Sequence, residues 1–140
     1  ENFERMVKKL QKKKIKVVVH IINGLPYETK EDMLETVKYL NKLKIDGIKI
    51  HMLHIIKDTY LNTLYEKEKF PILTKEEYID IVCDELELLN PKIVINRITG
   101  DPKVNDLIEP QWLIKKFSLL NDIDKEMKKR DSFQGKLSSI

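Results

Sequence analysis

The 140-residue sequence predicts an α/β fold with parallel strands and outer helices, on three observations. Apolar, β-branched runs recur at residues 15–22, 48–55 and 92–98; amphipathic stripes at helical spacing alternate with them; and turn or capping residues mark the steps between. Alternation of this kind builds a parallel sheet or barrel, because each return crossover lays its helix on the outside.

Phe3, Met6, Val7 and Leu10 repeat at i, i+3, i+4 and i+7, which predicts an amphipathic opening helix. Lysines end it, and residues 15–22 follow as a run with the pattern of a strand covered on both faces. Asn23-Gly24 and Pro26 stop that strand. Thr29 with Asp32 makes a capping-box start for a helix bearing Met33, Leu34, Val37 and Leu40, which ends near Leu43.

Asp46-Gly47 turns the chain into the second strand, 48–55. The connection 57–73 is long enough to suggest a functional lid or an inserted helix, the latter through Leu61, Leu64 and Tyr65. Thr74 and Glu77 cap a helix carrying Tyr78, Ile81, Val82, Leu86 and Leu89, and Asn90-Pro91 ends it. The third strand, 92–98, leads into the turn 99–102. Leu113, Phe117, Leu120, Ile123 and Met127 then trace a last helix over 110–130. The expected domain is 1–130, with 131–140 a polar, mobile tail.

An opening helix with no strand before it, and three strands where a barrel needs more, indicate part of a larger architecture. Its own preceding half is then the expected partner, and exposed sheet edges invite a homo-oligomer. The near-balanced charge of +3 excludes a bulk nucleic-acid footprint. The cluster Arg5, Lys8, Lys9, Lys12, Lys13, Lys14 and Lys16 reads as a solvated helix end, with an RNA-facing patch as the alternative. No apolar run of membrane-spanning length and no signal-peptide pattern occurs, so a cytoplasmic protein without membrane contact is expected. The one cysteine, Cys83, allows no internal disulfide and no three-cysteine cluster loop; it reads as a small core residue.

Parallel α/β folds work at the C-terminal ends of their strands. Three such ends occur, at residues 22–26, 51–54 and 96–101. At the first, Gly24 permits close backbone approach and Pro26 stiffens a turn ahead of a helix N-terminus. Lys49 and Arg97 are charges within apolar strands, costly unless they face a polar lumen or form buried ion pairs. His20, His51 and His54 suit strand-end donors better than a metal set, so no metal ligands are assigned. Trp112, Phe117 and Phe133 are expected to be core or helix-docking aromatics.

His20-Ile21-Ile22-Asn23-Gly24-Leu25-Pro26-Tyr27-Glu28-Thr29, then Asp46-Gly47-Ile48-Lys49-Ile50-His51-Met52-Leu53-His54-Ile55, resembles the fifth and sixth strands of radical S-adenosylmethionine enzymes. The similarity is to a bacterial Fe-S oxidoreductase branch related to oxygen-independent coproporphyrinogen oxidase and the Elongator catalytic subunit. It continues through Asp58-Thr59-Tyr60-Leu61, Leu64-Tyr65-Glu66, Arg97-Ile98-Thr99-Gly100-Asp101 and residues 130–136. The resemblance implies the C-terminal half of a partial (β/α) barrel. It implies S-adenosylmethionine and a [4Fe-4S] cluster as cofactors of the full-length protein, where the cluster's electron cleaves S-adenosylmethionine to a hydrogen-abstracting 5′-deoxyadenosyl radical.

By the same resemblance, the cofactor-binding positions are Ile22 against adenine, Asn23 and Gly24 in the turn, and the backbone of His51 to Leu53 at the adenine edge. Lys49 and Arg97 are the candidate catalytic residues, through substrate or cofactor-carboxylate contacts. His20 replaces the first glycine of the Gly-x-Ile-x-Gly-x-x-Glu pattern, and Tyr27 stands at its last position, where related branches usually carry glycine. The cluster's cysteine loop lies outside this sequence, so the chain alone is expected to be inactive. The Elongator likeness makes RNA or tRNA a candidate substrate. The alternative reading is a stand-alone α/β ligand- or RNA-binding module without iron chemistry.

Overall fold

A computed structural model describes residues 1–138. Its elements run α1 (Asn2–Lys12), β1 (Val18–Asn23), α2 (Lys30–Leu43), β2 (Gly47–Met52), β3 (Ile55–Ile56), α3 (Tyr60–Glu68), α4 (Lys75–Leu88), β4 (Val94–Arg97), β5 (Leu107–Glu109) and α5 (Lys116–Lys129). Strands β1, β2 and β4 form one parallel sheet in that order, as the alternating α/β pattern predicts. Both expected capping boxes form. Thr29 Oγ1 accepts from the Asp32 amide while Asp32 accepts from the Thr29 amide, and Thr74 and Glu77 do the same for α4.

The core lies on one face of this sheet. Val19, Ile21, Ile48, Ile50 and Met52 meet Val37, Leu40 and Leu43 of α2, Val82 and Leu86 of α4, and Leu119 and Ile123 of α5. Side chains alternate across a strand, so Val18, His20 and Ile22 point the other way. There Val18 is 44% and Ile22 46% exposed, and Val94 of β4 is 59% exposed. The apolar run of β1 is thus covered on one face, where the sequence suggested two. All the packed helices stand on the same side, and the second face is left open.

Polar ties hold the helical layer in register. Asn41 of α2 donates to the Leu88 carbonyl at 2.7 Å and accepts from the Asn90 amide at 2.9 Å, joining the ends of α2 and α4. Arg130 reaches Asp80, Asp84 and Glu87 on α4 and Glu126 on α5. These carboxylates raise the guanidinium pKa against the opposing effect of burial.

Three boundaries differ from the sequence pattern. The second strand stops at Met52, and Ile55–Ile56 pairs antiparallel with β5 in a separate two-stranded sheet. The last helix begins at Lys116, after a 3-10 turn over Gln111–Ile114. Gln111 donates to the Leu107 and Ile108 carbonyls and the Trp112 indole to the Leu73 carbonyl, which hold that stretch against the neighbouring loop instead of an α-helical path. The 57–73 connection contains α3, as its apolar spacing suggested.

Phe117 is 74% and Phe133 62% exposed, so neither is a core aromatic; Trp112 packs on Tyr78. Of the segment 131–140, Ser132, Gln134, Gly135 and Leu137 hydrogen-bond back to α4 or to the turn after it. Residues 139–140 of that segment lie outside the described residues.

Candidate functional site

The open sheet face gathers most of the chemistry-bearing residues of the strands. Parallel register places His20 beside Lys49 and Lys49 beside Arg97, one row across three strands, with Ile22 beside His51 on the next row. An irregularity between Ile48 and Lys49 lets β4 skip Asn96, which brings Arg97 rather than its predecessor into the row. Neighbouring strands stand about 4.8 Å apart, so the row spans roughly 10 Å. Neither Lys49 nor Arg97 has an ion-pair partner among the described residues.

His20 and His51 stack with ring centroids 5.2 Å apart, and His51 Nε2 lies 3.3 Å from His20 Nδ1. Burial first, then the charges of His20, Arg97, His54 and Lys49, holds the His51 pKa below the ordinary imidazole value. His54 leaves the row. Its ring is packed so closely on Gly100 that a Cβ there would run into it, Nε2 is buried without a partner, and burial lowers its pKa. Among the described residues no group of three or more His, Cys, Asp or Glu side chains converges as a metal set would.

The strand-end turn is built as its glycine suggests. Gly24 has φ of +86°, a conformation that L side chains rarely adopt, and a Cβ would sit 2.9 Å from Leu73 Cδ1. Tyr27 also lies in the left-handed region, at φ of +64°, so the tyrosine keeps a backbone that glycine would adopt without strain. Its hydroxyl donates to Glu68 of α3 at 3.0 Å, tying the turn to the long connection.

Two expected cofactor positions behave differently from Ile22. Asn23 points to the covered face, is 2% exposed, and donates to Glu85 of α4 at 2.7 Å. The Leu53 amide donates to the Asn23 carbonyl at 2.9 Å, which occupies its hydrogen and leaves its carbonyl as the group for a ligand. Strand parity is the signal that gives the direction of Asn23, two residues on from Ile21. Glu85 was missed, although it falls on the apolar stripe of Tyr78, Ile81, Val82, Leu86 and Leu89.

Glu85 is fully buried, with one carboxylate oxygen unpartnered, and burial pushes its pKa up to about 8. A neutral acid there fastens the end of β1 to α4. Nearby, Tyr78 donates to the Ile98 carbonyl at 2.8 Å and fastens the end of β4 to the same helix. One helix thus positions two of the three strand ends.

The Radical_SAM C-terminal domain family matches residues 45–129. Uncharacterized protein YtqA of Bacillus subtilis is 45% identical over 130 residues, 93% of this chain and 40% of the relative. Uncharacterized protein MJ0486 of Methanocaldococcus jannaschii is 36% identical over 132 residues, 94% of this chain and 41% of the relative. The chain therefore spans about 40% of the length of the curated relatives it matches. A solved structure of the archaeal Methanocaldococcus infernus Elp3 with an N-terminal deletion superimposes with a TM-score of 0.78 at 19% identity. That match covers 94% of this chain and 32% of the Elp3 chain, and at this identity it establishes a shared fold.

Proposed function

From the premise that this chain belongs to the Radical_SAM C-terminal domain family, we propose that it supplies the later strands of a radical S-adenosylmethionine barrel, whose preceding half is its partner. The observation that carries this reading is the open sheet face. It presents apolar Val18 and Ile22 together with unpaired Lys49 and Arg97, a surface suited to a barrel lumen rather than to bulk solvent.

The residues present fit S-adenosylmethionine and do not fit the cluster. Ile22 offers an exposed apolar contact for adenine at a strand end where Gly24 keeps the turn bare of side chain. The Leu53 carbonyl is an acceptor for a base edge, and Lys49 and Arg97 are cations on the same face for a carboxylate of cofactor or substrate. No cysteine loop for iron exists here, since Cys83 is the one cysteine and is buried. When bound and reduced by a cluster held elsewhere in the longer protein, the cofactor supplies hydrogen-atom abstraction; this chain's residues bind, orient and exclude water.

The test is anaerobic reconstitution of the longer protein with iron and sulfide, followed by assay for 5′-deoxyadenosine. Release dependent on S-adenosylmethionine is expected. Its absence from a cluster-loaded preparation rejects the reading.

A further inference from the structure

The row across the sheet carries more positive charge than S-adenosylmethionine can answer. No Asp or Glu occurs in β1, β2 or β4, and the charged groups acting on His51 are all basic. Some cations of the chain meet carboxylates: Lys30 binds Asp80 and Asp84, Lys75 binds Asp122, and Arg130 binds four acids. Lys49 and Arg97 are neighbours in register without a carboxylate partner among the described residues, an arrangement that like-charge repulsion opposes.

The cofactor named in the proposed function has one carboxylate against an ammonium and a sulfonium. Seating it on this face adds net positive charge. A second anion would balance the row, and a substrate that reaches this face can bring it.

We propose that His20, Lys49 and Arg97, with His51 beside them, form the recognition row for an anionic group of the substrate, a phosphate or a carboxylate, additional to the cofactor's own carboxylate. The span of roughly 10 Å admits a group held by Lys49 and Arg97 together, with the imidazoles as hydrogen-bond donors at one side. Arg97 gives a planar fork for paired oxygens, and Lys49 a point charge. This inference rests on the proposed function for the word substrate, while the anion site itself is read without it.

The experiment titrates the chain with inorganic phosphate and, separately, with malonate, following the ring resonances of His20 and His51 by NMR. A saturable response is expected, with the His51 titration midpoint moving upward because a neighbouring anion favours imidazolium. The stronger of the two probes identifies phosphate or carboxylate as the better fit. The Lys49→Ala/Arg97→Ala double variant should bind about tenfold more weakly or worse, with an unchanged circular dichroism spectrum, and Lys49→Arg should retain binding.

No saturable response to either probe overturns the proposal, as does a response unaltered in the double variant. Failure of 5′-deoxyadenosine release with the anion response intact would reject the proposed function alone. A flat titration with release intact would reject the anion row alone.

Discussion

The two faces of the three-stranded sheet both carry apolar residues and have opposite fates. One face packs Val19, Ile21, Ile48, Ile50 and Met52 beneath three helices and is closed to water. The other carries Val18, Ile22 and Val94 uncovered, interleaved with His20, Lys49 and His51. The covered face is organised by volume and the open face by charge. Substitutions should therefore separate stability from ligand binding according to strand parity alone.

The largest stability effect is expected from Ile50→Ala. Ile50 is fully buried, and removing its branched side chain leaves a cavity among neighbours that relax only in part, at a cost of about 2–5 kcal/mol. Urea unfolding measures it; a loss below about 1 kcal/mol would mean that the covered face is looser than its burial implies.

A smaller effect follows from Glu85, a titratable group on the covered side. Its pKa rises from 4.5 to about 8 in the folded chain, so between those values the native state holds a proton that the unfolded state has released. The slope of unfolding free energy with pH is then negative. This contribution is whole below the ordinary carboxylate pKa and is lost as pH rises through the folded value. Thermal unfolding from pH 5 to pH 8 should show a declining midpoint, with a shallower decline in Glu85→Gln.

The smallest stability effect belongs to Ile22→Ala on the open face. Ile22 is 46% exposed, so the cost is expected to be about 1 kcal/mol or less, chiefly lost strand propensity. The same variant should weaken S-adenosylmethionine binding to the longer protein, as measured by calorimetry. Equal destabilisation by Ile22→Ala and Ile50→Ala would erase the distinction between the faces.

The framework around this contrast was legible in local chemistry. Thr29, Thr74 and their acidic partners announced two helix starts because capping is a contact across three residues. Gly24 announced a turn that no side chain could share. Composition could not separate the faces of β1, because isoleucine and valine occur on both. The end of β2 was hidden for a related reason: residues 48–55 are continuous in sequence, and the break accompanies the pairing of Ile55 with Glu109, fifty-four positions later in the chain.

At the candidate site, Ile22, Lys49 and Arg97 were readable as an apolar residue and two charges in strands, and the register supplied their neighbourhood. The inward turn of Asn23 and its bond to Glu85 span two elements separated by 62 positions. No periodicity within either segment specifies that pairing.

Cys83 gives the covered side a means of reporting its own opening. Its thiol is fully buried, points at the Ile123 carbonyl of α5 at 3.8 Å, and burial pushes its pKa up to about 11. In the closed molecule it is sterically hidden and almost wholly protonated at neutral pH, two separate barriers to an electrophile. Both fall together when α5 lifts from α4. The chain's one sulfhydryl is thus a clock for that opening, and it keeps time without any probe on the face where ligands are expected.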